Sequence, residues 1–169
     1  DRKKGDNVLV PNPGFLSYSA CVKLAEANVV EVSTPMENEF KMTVEDVQEK
    51  IDKNTKALII NSPSNPTGAV MDKEDIKGIA DLATDHDFYI ISDEIYEKII
   101  YGTKNYSPAE YCDNVVTLNG FSKSYAMTGW RLGYAMGPKP IIDAMSKLHQ
   151  VAVICAPTTS QYAAVVAMN

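Results

Sequence analysis

Residues 115–134 read VVTLNGFSKSYAMTGWRLGY, and this stretch decides how the rest of the chain is interpreted. An apolar, strand-like run at its start leads into a glycine-punctuated turn with one lysine, Lys123. Arg131 follows after 131 − 123 = 8 positions and lies between two glycines. A lysine amine forms Schiff bases once burial or neighbouring charges lower its pKa, and an arginine fork grips a phosphate. The pair suggests pyridoxal phosphate, which has one aldehyde and one phosphate. A solvated loop lysine beside a twisted strand edge is the plainer alternative.

Apolar runs typical of buried strands are interspersed with helix-like segments along the chain. The strand-like runs are residues 8–10, 29–32, 56–60, 88–91, 115–118 and 132–136. Helical patterns cover about 16–27, 43–54, 72–86, 140–153 and 159–168. A capping-box pattern joins Thr43 to Asp46, and Asp72 is predicted to cap the third helix. Nearly continuous apolar strands favour parallel pairing, so the sequence predicts an α/β fold with three α/β/α layers and a mostly parallel mixed sheet.

The charge balance and the histidines argue against several functions. The chain has 16 lysines and arginines against 22 aspartates and glutamates, a net charge of −6, and no basic cluster. Nucleic-acid binding is therefore not expected. His86 and His149 are isolated from each other and from the cysteines, so no metal site is predicted.

Cysteine usage and hydropathy bear on location. Cys21, Cys112 and Cys155 are odd in number and widely spaced, which is typical of free thiols in a reducing compartment. No apolar run reaches the length of a membrane span, and the opening residues 1–4, DRKK, lead into no signal-peptide core. We expect a cytoplasmic protein without a membrane partner.

Polar and aromatic side chains follow the predicted strands, where parallel sheets bind ligands. Asp93 ends a strand and is placed to keep a pyridine nitrogen protonated; a helix N-cap is its alternative role, and burial would require a cation beside it. Tyr96 and Asn65 offer hydrogen bonds to the ring hydroxyl, with a core tyrosine and a turn asparagine as alternatives. Phe15 is placed to lie against the ring face, or is a core aromatic.

Taken together, three motifs resemble one family. Asn65-Pro66-Thr67-Gly68, Asp93-Glu94-Ile95-Tyr96, and Ser122-Lys123 followed by Gly129-Trp130-Arg131 are similar, in order and spacing, to the class I and II aminotransferases of pyridoxal-phosphate fold type I. The resemblance covers essentially the whole chain. Joint occurrence of the motifs is highly specific, whereas Asn-Pro-Thr-Gly alone is weak.

The resemblance implies a role for each site residue. Lys123 would be the Schiff-base lysine, which the incoming amino acid releases and which then moves a proton between Cα and C4′. Asp93 would pair with the pyridine nitrogen, Asn65 and Tyr96 would bind the ring hydroxyl, and Arg131 would bind the phosphate. By the same resemblance, the catalytic residues would be Lys123, Asp93 and Tyr96. Phe15 would lie over the ring, and the bonds before the prolines at 13 and 66 would be cis.

The chain departs from the family pattern at the phosphate ligands. Many members carry Ser or Thr three residues before the lysine, where this chain has Gly120, and Ser122 is expected to take over that role. The family's phosphate loop and its C-terminal small domain are not found in residues 1–169. We therefore expect these residues to be a partial cofactor-binding large domain that does not turn over alone, and the whole protein to be a homodimer with its site at the subunit interface.

By this resemblance the whole protein is an aminotransferase that moves an amino group from aspartate or an aromatic amino acid to a 2-oxo acid. A pyridoxal-dependent β-lyase of the same fold is the first alternative. A non-catalytic pyridoxal-binding domain fused to a DNA-binding module is a second, and a bare α/β scaffold with coincidental motifs is a third.

Overall fold

A computed structural model describes residues 5–169, which contain six strands and five α-helices. The charged opening, residues 1–4, lies outside the described part. The strands are β1 (Asn7–Asn12), β2 (Asn28–Ser33), β3 (Thr55–Asn61), β4 (Tyr89–Asp93), β5 (Val115–Gly120) and β6 (Gly133–Met136). The helices are α1 (Leu16–Leu24), α2 (Val44–Lys50), α3 (Lys73–Asp85), α4 (Lys139–Ala152) and α5 (Thr158–Met168). All of them match predicted segments to within a few residues.

One mixed sheet holds all six strands in the order β2-β1-β3-β4-β5-β6. The first five strands pair in parallel, and β6 runs antiparallel to β5. This confirms the predicted mostly parallel mixed sheet. Because β2 and β3 lie on opposite sides of β1, the direction of strand addition reverses there, and ligands bind at such switch points in open α/β sheets.

Two apolar clusters cover the two faces of the sheet, as three α/β/α layers require. On β3, Leu58 and Ile60 point to one face and Ile59 to the other, because side chains alternate along a strand. The larger cluster packs the first face against α2 and α3, and includes the predicted face of α3: Ile76, Ile79, Ala80 and Ala83. The smaller cluster packs α1 against the second face through Val22.

The helix starts agree with the sequence in one case and differ in another. Thr43 and Asp46 form the predicted capping box, and α2 ends at Lys50 because Ile51 is extended. Asp72 precedes α3 as predicted but makes no capping hydrogen bond with its side chain. Its carboxylate instead accepts a hydrogen bond from Lys41 at 3.2 Å, so a nearby ammonium replaces the backbone as partner.

The last two helices expose much of their apolar surface. No residue of α4 is buried, and the side chains of Leu148 and Val166 are 72% and 77% exposed. Ser160 links α5 to the loop between β5 and β6 by donating a hydrogen bond to the Trp130 carbonyl at 2.7 Å. Within residues 5–169, no helix has both the length and the apolar character needed to span a membrane.

Candidate active site

The loop between β5 and β6 brings Lys123 and Arg131 to the same edge of the sheet. Gly120 pairs with Gly133 across the two antiparallel strands, so the loop leaves and returns at the carboxyl end of β5. A one-turn 3-10 helix, Thr128–Trp130, precedes Arg131. Arg131 has a φ of 50°, and its Nη1 donates to the Thr128 carbonyl at 2.9 Å. This hydrogen bond fixes the guanidinium against its own turn.

A cavity of about 400 Å³ opens at this edge, which is within the range of small-molecule sites. All seven residues predicted for the site line it: Phe15, Asn65, Asp93, Tyr96, Ser122, Lys123 and Arg131. Six further lining residues were not predicted from the sequence: Tyr18, Asn61, Ile95, Leu118, Asn119 and Thr128. The structure therefore places the lysine in one cavity with Asp93 and Asn65, whereas a bare scaffold with coincidental motifs gives no reason for them to meet.

The end of β1 and the first turn of α1 form one wall of the cavity. The Asn12-Pro13 bond is cis, as the resemblance implies, and α1 begins just after Phe15. The rings of Phe15 and Tyr18 lie one helical turn apart in an edge-to-face arrangement, with centroids 5.6 Å apart. Phe15 is 44% exposed, so it is a wall of the cavity and not a core aromatic.

Asp93 uses both carboxylate oxygens within the protein. Its Oδ1 accepts a hydrogen bond from the Ile95 amide at 3.3 Å, much as an N-cap would, and its Oδ2 accepts one from the Tyr18 hydroxyl at 2.6 Å. Sequence reasoning required either a cation beside Asp93 or an Asp93 that is not buried, and the residue is only partly buried. Among residues 5–169 no lysine, arginine or histidine forms an ion pair with Asp93, and the Tyr18 hydroxyl is its hydrogen-bond partner.

Among the six lining residues that sequence reasoning missed, Tyr18 is the one whose side chain contacts the Asp93 carboxylate. The signal was available in its spacing: Tyr18 follows Phe15 by three positions at the start of a predicted helix, so both side chains point to the same side. Burial raises the pKa of the Tyr18 hydroxyl, and the hydrogen bond to Asp93 raises it further. The hydroxyl therefore stays protonated and acts as a donor throughout the physiological pH range.

Asn61 and Asn65 hold the end of β3 against the end of β4. Asn61 donates its amide to the Asp93 carbonyl at 3.0 Å and accepts from the Asn65 amide nitrogen at 2.7 Å. The Asn65-Pro66 bond is cis, as the resemblance implies, and so is the bond before Pro63, which was not anticipated. Asn65 is therefore fixed at its backbone, while its side chain lines the cavity.

Lys123 and Tyr96 face each other across the cavity. The Lys123 Nζ lies 5.7 Å from the centroid of the Tyr96 ring. Lys98 lies two residues after Tyr96, and Tyr125 lies two residues after Lys123. Lys98 Nζ donates a hydrogen bond to the Tyr125 hydroxyl at 2.8 Å, which joins the two loops a second time. The hydrogen bond to Tyr125 raises the pKa of Lys98, so this ammonium stays charged.

A side chain at Gly120 would crowd the backbone of β6. A Cβ built at this position would stand 2.9 Å from the Leu132 carbonyl oxygen and 3.0 Å from Gly133 Cα. A serine or threonine there would therefore require β5 and β6 to move apart. Ser122 and Thr128 are the serine and threonine side chains that line the cavity, and which of them binds a phosphate stays a prediction.

The three cysteines and Glu94 do not line the cavity. Cys21, Cys112 and Cys155 are unpaired, as predicted. In the described part of the chain, no three His, Cys, Asp or Glu side chains come together as a metal site would need. Glu94 is buried, and its Oε1 accepts hydrogen bonds from Ser92 and Ser107. Burial raises the pKa of the Glu94 carboxyl.

Comparison with known proteins identifies the family of this chain. The family model for aminotransferases of class I and II matches residues 2–169. The chain is 47% identical to a probable aspartate aminotransferase of Methanocaldococcus jannaschii, over 98% of the chain and 45% of that protein. It is 45% identical to aromatic-amino-acid aminotransferase 2 of Thermococcus litoralis, over 99% of the chain and 44% of that protein.

Solved structures show the same fold. The aspartate aminotransferase of Thermus thermophilus with maleate superposes with a TM-score of 0.97 at 43% identity, over 99% of this chain and 44% of that one. The aromatic aminotransferase of Pyrococcus horikoshii gives a TM-score of 0.93 at 46% identity, over 97% of this chain and 45% of that one. The chain thus spans less than half the length of these relatives.

The fold and the site define an α/β domain that presents an amine, a guanidinium and a carboxylate in one cavity at the carboxyl edge of its sheet. The near-complete match to the family model and the identities above 40% make the assignment specific. The chain belongs to the class I and II aminotransferase family.

Proposed function

We propose that the full-length protein containing this chain is a pyridoxal-phosphate-dependent aminotransferase that works in two half-reactions. One observation carries the proposal: Lys123, Asp93 and Arg131 line a single cavity at the carboxyl edge of the sheet. The family match supports the same reaction class.

The side chains of the cavity fit pyridoxal phosphate. The cofactor has an aldehyde, a phosphate, a ring nitrogen, a ring hydroxyl and an aromatic face. Lys123 supplies an amine, Arg131 and Ser122 supply phosphate donors, and Asp93 supplies a carboxylate. Asn65 and Tyr96 supply donors for a ring hydroxyl, and Phe15 supplies an aromatic wall. Each of these five groups of the cofactor therefore has a candidate partner among the residues that line the cavity.

Pyridoxal phosphate, when bound, supplies an aldehyde carbon and an electron-withdrawing ring. Lys123 would hold the aldehyde carbon through Nζ, and its amine, when free, would carry a proton. The Asp93 carboxylate would stabilise a proton on the ring nitrogen. Arg131 and Ser122 would bind the phosphate, and Phe15 would shield the ring face from water. The Lys98–Tyr125 hydrogen bond joins the loop that carries Tyr96 to the loop that carries Lys123.

The relatives indicate the substrates that we propose. They are named as aspartate and aromatic-amino-acid aminotransferases, and the Thermus thermophilus structure contains maleate, a dicarboxylate. We infer an amino donor from one of these two classes, with a 2-oxo acid as acceptor. A homodimer in the cytoplasm completes the proposal; the unpaired cysteines are in keeping with a reducing compartment.

Borohydride trapping tests the proposal. The full-length protein is incubated with pyridoxal phosphate and reduced with borohydride, which leaves a pyridoxyl label on the lysine that holds the cofactor. This label should lie on the peptide that contains Lys123. Lys123→Ala should lose the label and the transamination of aspartate and of phenylalanine. Lys77→Ala, which removes an exposed lysine on α3, should keep both. Label on another lysine would contradict the proposal, and release of ammonia with a 2-oxo acid from a single substrate would favour the β-lyase instead.

A further inference from the structure

We propose that Tyr18 is a positioning residue that orients the Asp93 carboxylate toward the cofactor ring without neutralising its charge. The inference rests on the proposed function and deepens it, because it assigns the group that controls the proton of the ring nitrogen. Tyr18 belongs to none of the three motifs that identify the family in this sequence.

The geometry of the carboxylate supports this role. Asp93 Oδ2 accepts a 2.6 Å hydrogen bond from Tyr18, and Oδ1 accepts a longer one of 3.3 Å from the Ile95 amide. A carboxylate has about four lone-pair sites, so two remain for a ligand. Two donors on different oxygens fix the plane of the carboxylate, and that plane decides where the remaining lone pairs point.

The chemistry of the donor matters as much as its position. A lysine or arginine beside Asp93 would form an ion pair and compete with a protonated ring nitrogen for the same charge. A hydroxyl donates one hydrogen bond and leaves the full negative charge on the carboxylate. Burial and the bond to Asp93 raise the pKa of Tyr18, so the donor does not titrate at working pH.

Tyr18 also ties this function to α1. Only Val22 of that helix is buried, and Leu16 and Leu24 are 88% and 84% exposed. Tyr18 and Asp93 are 75 positions apart in the sequence, so their hydrogen bond links α1 directly to the end of β4. Phe15 caps the same helix and its ring contacts that of Tyr18, so one segment carries both the group that fixes the carboxylate and the group proposed to cover the ring.

The test compares two ligands on matched variants of the full-length protein. Equilibrium binding is measured for pyridoxal phosphate and for its 1-deaza analogue, which has a carbon in place of the ring nitrogen. Tyr18→Phe should weaken pyridoxal phosphate binding about tenfold, as expected for a hydrogen bond to a charged group. It should change binding of the analogue by less than about twofold, because the analogue offers no nitrogen to Asp93.

Two controls separate positioning from packing. Tyr162→Phe removes a hydroxyl on α5, where the side chain is 74% exposed, and should leave both affinities unchanged. In an Asp93→Asn background, Tyr18→Phe should have little further effect, because both changes act through one carboxylate. Thermal unfolding confirms that each variant is folded before binding is measured.

The outcomes distinguish this inference from the proposed function. Equal losses for both ligands, or the same loss in the Asp93→Asn background, would show that Tyr18 acts through the packing of α1 and would overturn the inference alone. A wild-type protein that binds neither ligand would overturn the proposed function as well. A loss confined to pyridoxal phosphate, and absent in the Asp93→Asn background, supports the positioning role.

Discussion

A serine at position 120 would bring a side chain to a place where β5 and β6 nearly touch. Many members of the family carry a hydroxyl residue there, so Gly120→Ser looks like a restoration of a phosphate ligand. In this chain the added Cβ would lie 2.9 Å from the Leu132 carbonyl oxygen, which is 0.5 Å short of the 3.4 Å of ordinary contact. That oxygen already accepts a hydrogen bond from the Phe121 amide at 3.1 Å, so moving it stretches the bond.

We therefore expect Gly120→Ser to destabilise the protein and not to improve cofactor binding. The two nearest atoms are backbone atoms, and the third, Ile95 Cδ1, is 3.3 Å away, so relief requires β6 to shift. Overpacking of this kind costs about 1–3 kcal/mol of unfolding free energy. Urea unfolding of the full-length protein measures the loss, with an unchanged m-value as the sign that only stability has changed.

Gly129→Ser is the matched control. A Cβ at Gly129 meets nothing within 4 Å, so the same chemical change should alter stability by less than about 0.5 kcal/mol. If Gly120→Ser unfolds at the wild-type urea concentration and binds pyridoxal phosphate more tightly, the reasoning is refuted. The strands would then have room to separate, and position 120 would be able to serve as a phosphate ligand.

Three further changes test separate features. Arg131→Ala should weaken pyridoxal phosphate binding about 10–100-fold in equilibrium dialysis, because a charge-assisted phosphate contact is lost. The backbone at residue 131 is left-handed for either side chain, so its strain should not change. Unchanged affinity would contradict the phosphate role. The melting temperature of Glu94→Gln minus that of wild type should increase as pH rises from about 4 to about 7. Burial raises the pKa of Glu94, so the folded wild-type protein holds the proton more tightly than the unfolded chain and loses stability when the carboxyl ionises. The glutamine of the variant cannot ionise and does not lose this stability. A melting-temperature difference that stays flat with pH would exclude this. Thr43→Ala should cost about 1 kcal/mol in urea unfolding through loss of the capping box, and no loss would mean that α2 does not depend on it.

Local patterns were sufficient to predict most of the fold. The apolar runs of the strands and the spacing of Ile76 and Ile79 on α3 depend on neighbouring residues alone, so the sequence carries them directly. The grouping of Lys123, Asp93 and Asn65 followed from their positions after strands, since parallel strands end at one edge.

Contacts between distant segments were beyond the same reasoning. The position of β6 as an antiparallel neighbour of β5 depends on how the intervening loop turns back. The partner of Asp93 depends on the packing of α1 across β1, which brings Tyr18 to a residue 75 positions away. Asp72 shows the same limit on a smaller scale, because Lys41 approaches from another loop and takes the carboxylate expected to cap α3.

The bare surface of α4 and α5 has a practical consequence for laboratory work with this chain. Apolar side chains such as Leu148 and Val166 are exposed on both helices, and exposed apolar surface promotes self-association in water. Residues 1–169 expressed by themselves should therefore aggregate or require detergent to stay in solution. Ligand titrations are better begun with the intact polypeptide.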